Sequence, residues 1–221
     1  MNVPQIQELL GSEDPQQRLK GITALRHYDA ETAVPLLITR RNDPEFIIRS
    51  MVASGLGFKQ SPVAYDALLD LLQADRDSNV RAEAANALAK YGEKSRIHLL
   101  EAFERNEHWL IRLSILPIIA DLNSSADLLQ ICQAALKGSD LAVQGSALGY
   151  LVQLANTDEQ EVALTLLLDW VNAHSWFLRR QVALSLRAFA DERAQKALSV
   201  LRQDTDHRVV AATLEGLLAK D

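Results

Sequence analysis

Four kinds of side chain in this sequence could take part in chemistry: one cysteine, five histidines, recurring carboxylates and three tryptophans. Cys132 would be a nucleophile if its thiol were ionised. However, it stands at the same helical position as Leu72, Phe103 and Val171, an apolar position where a thiol stays protonated and packs as a small hydrophobe. His27, His98, His108, His174 and His207 are scattered, and no pair has metal-ligand spacing. There is no His-Glu-x-x-His, Cys-x-x-Cys, Gly-rich phosphate loop or Gly-x-Ser-x-Gly elbow. The expectation is therefore no metal, no cofactor and no catalytic residue. Asp70 and Glu101 could act as an acid–base pair, but a face rich in carboxylates brings such groups together without any catalytic purpose.

The elements that position these groups are legible from one segment. Asp77 to Phe103 reads as two short helices joined by a turn at Gly92. Asp77 and Ser78 are cap residues. Val80, Ala84, Ala87, Leu88 and Tyr91 fall on one helical face, and Ile97, Leu99, Leu100 and Phe103 on the face of a second helix. Neither helix can bury its stripe alone, so the unit requires stacked neighbours. Copies occur throughout, with an anchor at Arg18, Arg49, Arg81, Arg112, Gln144, Arg179 and Arg208, spaced 31, 32, 31, 32, 35 and 29 residues apart. Seven places after the first six anchors stand Leu25, Leu56, Leu88, Ile119, Leu151 and Leu186; the seventh copy has Glu215, as a water-facing cap would. The fold expected is all-α: an α-α superhelix of about seven repeats of roughly 31–32 residues, forming one domain over 1–221. A capping helix is expected at 1–12 and another at 205–221, with fourteen helices in all.

Each copy opens with a cap residue, often Asp followed by Pro at the first helical position, as at Pro15 and Pro44. The arginine one turn later can reach the capping carboxylate of an adjacent repeat. This Asp-Pro-x-x-Val-Arg-like entry resembles the HEAT repeat, in particular the HEAT-like repeats of the phycobilisome lyase family, over about Val3 to Leu218. The resemblance implies a protein that handles phycobiliproteins, either in bilin attachment or in phycobilisome breakdown.

The second helices share a string, LLDLL from Leu68, LLEAF from Leu99, LLQIC from Leu128 and LLDWV from Leu167. The polar residue points away from the leucines and defines an outward column of Ile38, Asp70, Glu101, Gln130, Asp169 and Ser199. A flanking column holds Arg41, Gln73, Glu104, Gln133, Asn172 and Arg202. The resemblance implies that second helices line the concave side. These columns are then either a solvated face or a protein-docking groove suited to basic or amide groups. The candidate partner-binding residues are Arg41, Asp70, Gln73, Glu101, Glu104, Gln130, Asp169 and Asn172, with Trp109 and Trp176. The two tryptophans replace the usual entry residues; they either seal repeat junctions or form an exposed aromatic hot spot. Pro117 is expected to kink its helix, and Glu159 to Ala173 to form the longest second helix.

Composition narrows the function classes. The chain has 221 residues, 48% hydrophobic and 24% charged, with net charge −6, so a phosphate-backbone partner is disfavoured. A single cysteine agrees with a reducing compartment. With no leader-like start and no long apolar run, a cytoplasmic protein without membrane insertion is expected. The leading expectation is a non-enzymatic protein–protein scaffold whose partner, on the resemblance, is a phycobiliprotein. The alternatives are a bilin lyase or lyase subunit, which would need a bilin pocket and acid/base residues, and a HEAT-like alkylpurine DNA glycosylase; Cys132, if not a packing group, would be a nucleophile or a bilin attachment point. The glycosylase would call for a basic groove where these columns are acidic.

Overall fold

The computed structural model describes residues 1–106 and 108–215. Fourteen α-helices occur among them: α1 (Val3–Gly11), α2 (Pro15–Ala24), α3 (Ala30–Ile38), α4 (Phe46–Phe58), α5 (Pro62–Ala74), α6 (Ser78–Ala89), α7 (Arg96–Arg105), α8 (Trp109–Asp121), α9 (Ser125–Lys137), α10 (Leu141–Tyr150), α11 (Gln160–Asp169), α12 (Trp176–Leu186), α13 (Glu192–Leu201) and α14 (His207–Leu214). The all-α repeat expectation is met. The chain forms two compact units, 1–118 and 119–221. In the first, α2, α4 and α6 stack on one another, while α3, α5 and α7 form a second layer. In the second, α10, α12 and α14 form one layer and α11 packs on α13 in the other. No helix among the described residues is long and apolar enough to cross a membrane.

Burial follows the repeat. Leu25, Leu56, Leu88, Ile119, Leu151 and Leu186, each seven places after an anchor, are all at most 1% exposed. The layers approach closely where a side chain is missing: a Cβ on Gly57 of α4 would lie 2.9 Å from the Ala87 Cα of α6. In α7, Leu99, Leu100 and Phe103 are buried, but Ile97 is 57% exposed. It sits in the first turn, directly after the 3₁₀ turn Gly92–Ser95, and faces water rather than the core as expected. α8 runs on past Pro117 to Asp121. α11 ends at Asp169 with ten residues, shorter than the thirteen of α5 and α9, so it is not the longest second helix. The chain from Trp170 to Ala173 turns instead, with Ala173 N–H donating to the Trp170 carbonyl at 3.1 Å.

The anchors explain the joints. In each of the first six copies the anchor's amide closes the opening helical turn on the cap carbonyl: Arg18 on Asp14, Arg49 on Glu45, Arg81 on Asp77, Arg112 on His108, Gln144 on Asp140 and Arg179 on Ser175. In the last copy Val210 does this, on Asp206. The final anchor position is therefore Val210 rather than Arg208, and the last spacing becomes 31. Position 217, seven places on, lies outside the described residues, as does the end of the 205–221 capping helix. Arg208 binds its own cap carboxylate, Asp206, at 2.7 Å.

The anchor side chain reaches back to the loop carbonyl six residues earlier. Arg18 donates to Ser12 O at 3.0 Å, Arg49 to Asp43 O at 2.8 Å, Arg112 to Asn106 O at 2.7 Å, Gln144 to Gly138 O at 2.7 Å and Arg179 to Ala173 O at 2.8 Å. It also reaches forward to the residue six places before the next anchor. Where that residue is Asp, an ion pair forms. Arg18 donates to Asp43 Oδ1 at 2.8 Å and touches Oδ2 at 2.7 Å, the latter a charge contact rather than an aligned hydrogen bond. Arg49 grips Asp75 with two bonds of 2.7 and 2.9 Å. Arg179 grips Asp204 at 2.6 and 3.0 Å. The corresponding residues for Arg81, Arg112 and Gln144 are Asn106, Gly138 and Ala173. Arg81 instead donates to Leu72 O at 2.8 Å, one of the carbonyls that the end of α5 leaves without an intrahelical partner.

This tie also corrects the capping expectation at Pro44. Asp43 accepts from Arg18 and from the Glu45 amide at 3.1 Å, so α4 starts at Phe46 with Glu45 at its cap position. Glu45 makes no side-chain cap bond, whereas Asp75–Asp77 and Asp204–Asp206 divide the work between two carboxylates. The first carboxylate takes the preceding arginine and the amide two residues on; the second caps the helix.

Two outcomes follow. Arg49 and Asp75 are each 5% exposed, and stranding one partner of such a pair costs roughly 3 kcal/mol. Arg81→Ala removes a single hydrogen bond and costs about 1 kcal/mol. Urea midpoints should therefore fall much further for Arg49→Ala than for Arg81→Ala; equal shifts would refute the carboxylate tie. The second outcome concerns acid. Burial pushes the Asp75 carboxyl up, but the hydrogen bonds from Arg49 and the Asp77 amide outweigh it and hold it below its ordinary value. The bond from Arg179 does the same for Asp204. Depressed folded values mean stability that is fully present above the unfolded carboxylate pKa of about 3.9 and lost as pH falls through the folded values. Thermal melts followed by circular dichroism should show a loss below about pH 4 that is smaller in Asp75→Asn, whose neutral-pH melting point is already lower. A parallel acid slope in the variant would exclude Asp75 as a source.

Candidate functional site

The second-helix strings place their polar members outward. Leu68, Leu72, Leu99, Phe103, Leu128, Cys132 and Leu167 are buried, while Asp70, Gln130 and Asp169 are exposed and Glu101 is part-exposed. Within the first unit, three of the ten candidates share one open cleft of about 460 Å³: Arg41, Asp70 and Gln73. Arg41 lies in the turn after α3, Asp70 and Gln73 on α5. Arg41 Nη1 meets Asp70 Oδ2 at 3.0 Å, a pairing between successive repeats that screened, exposed charges make worth under about 1 kcal/mol.

Asn42, Asp43, Arg49, Asp75 and Arg76 supply its other polar lining, with Leu71 and Ala74 between them in sequence. Among these, Arg76 was not singled out by the repeat pattern; it donates to the Pro44 carbonyl at 2.9 Å and remains exposed. The cleft therefore presents arginines against aspartates rather than the acidic surface that the column alone suggests. Glu101 is likewise accompanied by Arg105, 3.6 Å away on its own helix. Glu104 is exposed on α7, and Asp169 and Asn172 are exposed at and beyond the end of α11. These residues do not line that cleft.

The tryptophans differ from one another. Trp109 is 47% exposed and stacks on His108, with ring centroids 5.9 Å apart. Trp176 is half-buried, with the Arg208 guanidinium 3.3 Å over its ring and Phe177 edge-on at 6.1 Å. Trp109 is thus an available aromatic surface, while one face of Trp176 is held by a cation–π contact. Cys132 is fully buried, its Sγ 3.5 Å from the Ala147 carbonyl, and burial pushes its thiol up to about 12. At neutral pH it is a packing group. Among the described residues no group of three or more His, Cys, Asp or Glu could hold a metal ion.

A family model for HEAT repeats matches residues 3–89 and 39–117, together more than half of the chain. The chain is a HEAT-repeat protein. It is 29% identical over 162 residues to a deoxyhypusine hydroxylase-B from Oryza sativa subsp. japonica, covering 72% of this chain and 48% of the relative. The chain thus spans about half the length of the curated relative it matches. Among solved structures, the Escherichia coli protein YibA is similar with a TM-score of 0.68 at 17% identity, over 99% of this chain and 85% of that one. The complex of CpcE and CpcF of phycocyanin lyase from Nostoc sp. gives 0.54 at 20% identity, over 99% and 88%. At these identities the structural likenesses establish the HEAT fold.

The tryptophan environments are directly measurable. In variants retaining one tryptophan each, acrylamide should quench Trp109 fluorescence more strongly than Trp176, and Arg208→Ala should raise quenching of Trp176. Equal quenching of the two would contradict the difference in their cover.

Proposed function

We propose that this HEAT-repeat chain is a non-enzymatic scaffold that docks a protein partner on the polar face of its second helices. The observation that carries the proposal is the Arg41–Asp70 pair beside Gln73 in one open cleft. Donors and acceptors stand exposed above a core that is complete without them. The paired charges favour a partner presenting side-chain amides and mixed charge over a purely basic one. Glu101, Glu104 and Trp109 extend the proposed contact in the first unit; Gln130, Asp169, Asn172 and Trp176 do so in the second.

For the partner, the entry motif resembles the phycobilisome lyase repeats, and the Nostoc structure of similar fold belongs to a phycocyanin lyase. A phycobiliprotein is the partner class proposed, with the scaffold acting in its handling or turnover in the cytoplasm.

Purified phycocyanin mixed with the full chain should co-elute on size exclusion at low salt. It should separate at high salt and after Asp70→Lys with Glu101→Lys. Those exposed replacements should move stability by less than about 1 kcal/mol. Co-elution that survives the double charge reversal would remove the second-helix face from the proposal; failure to co-elute at low salt would remove the phycobiliprotein.

A further inference from the structure

At the other end of α4 and α5, away from the Arg41–Asp70 cleft, the turns joining first to second helices carry a different chemistry. Arg26 and His27 follow α2, Phe58 and Lys59 end α4, Lys90 ends α6 and Lys94 lies in the turn beyond. Successive turns touch. Lys59 Nζ donates to the Arg26 carbonyl at 2.9 Å and to that of Tyr28; Gln60 Nε2 donates to the Lys90 carbonyl at 2.6 Å; Lys90 Nζ stands 4.4 Å over the Phe58 ring. Lys94 Nζ lies 3.8 Å over Tyr65. The partners of these lysines are carbonyl oxygens and aromatic rings rather than carboxylates. Asp29, which feels the charge of Lys59, is committed to capping α3 through the Thr32 amide at 2.8 Å. Glu93, in the same turn as Lys94, pairs with Arg96. One edge of the first unit thus carries more cations than carboxylates in a chain whose net charge is −6.

Cations at helix C-termini suit the helix dipole, and that alone would account for the lysines. It does not account for Phe58, which is 71% exposed. Nor does it account for the groove of about 540 Å³ that Phe58 walls, whose lining combines Ile22, Leu25, Leu37 and Met51 with Thr23, Ser54, Arg26 and Lys59. An open apolar slot rimmed by positive charge accepts an apolar side chain flanked by negative ones.

We propose that this edge docks a short acidic segment of a partner protein. One large apolar side chain enters the groove between α2 and α4 against Phe58, and carboxylates on either side of it meet Arg26, Lys59 and Lys90. A phosphate backbone would use the cations but leave the groove empty, and the net negative charge of the chain opposes it. The edge is separate from the second-helix face, so this inference stands or falls independently of the scaffold reading.

The test is to pan phage-displayed random peptides against the full chain at low salt, then measure enriched sequences as fluorescein-labelled synthetic peptides by anisotropy. Enriched peptides should place Asp or Glu around a single Phe, Leu or Trp. They should bind roughly tenfold or more weakly to Phe58→Ser, as a central anchor would, and also to Lys90→Glu, whose site is on the surface and tolerant of change. Binding should weaken with salt and be indifferent to Asp70→Lys with Glu101→Lys. Enrichment of basic peptides, no enrichment, or equal affinity for Phe58→Ser would overturn the proposal. So would oligo-dT binding that depends on Phe58 and Lys90 while acidic peptides fail to bind.

Discussion

A guanidinium buried between two helix pairs is stable only if its fixed fork of donors is satisfied in place. That requirement organises the arginine joints here. Arg49 meets it with the Asp43 and Pro44 carbonyls of its own entry loop and both oxygens of Asp75 in the next. The entry loops are thereby fixed at both ends of the arginine, and the carboxylate cannot also cap its own helix, so capping passes to the residue two places on. The joints are not uniform. Carboxylates tie Arg18, Arg49 and Arg179 forward, whereas Arg81, Arg112 and Gln144 hold carbonyls. The division between the two compact units, at 118/119, falls within the stretch whose anchors lack the carboxylate. Gln144 shows what the minimal joint needs: one donor aimed at the loop carbonyl, with no charge at all.

The helix pairs and the buried column were legible in the sequence because both arise from local periodicity, and Leu25 through Leu186 needed only a count of seven from each anchor. The final register was not legible by that route. Arg208 has the anchor's side chain but lies two residues early, and only the cap position reveals Val210 as its equivalent. The forward tie left a signal that was available: Asp stands six places before an anchor at 43, 75 and, once the register is corrected, 204. Ile97 misled because its spacing fits the apolar face although the helix has barely begun there. On the second helices, the polar column was legible as outward, but the pairing of its charges was not. Arg41 and Asp70 are 29 residues apart in the chain, and only the stacking of α3 on α5 makes them neighbours.

Stacked helix pairs separate two kinds of edge. Entry loops gather on one and carry the joints, so their aspartates and arginines answer to packing. The turns inside each pair gather on the other and carry lighter ties, from Lys59 to the Arg26 and Tyr28 carbonyls and from Gln60 to the Lys90 carbonyl. Those ties use backbone acceptors, so the side chains of the accepting residues are less constrained, and sequence there differs between repeats. Eight to ten places after the anchor stand Arg26, Lys59 and Lys90 in the first three copies, but Asp121, Gln153 and Arg187 in the next three. A cation thus stands there in four of the six copies, and only the first three place them in succession, so a run of cations is not a by-product of the fold. That contrast separates it from the ion pairs of the entry loops. The entry-loop charges are explained when the joint is explained. The lysines around Phe58 suit the helix dipole, and it is the exposed ring beside an open groove that the stack itself leaves unexplained.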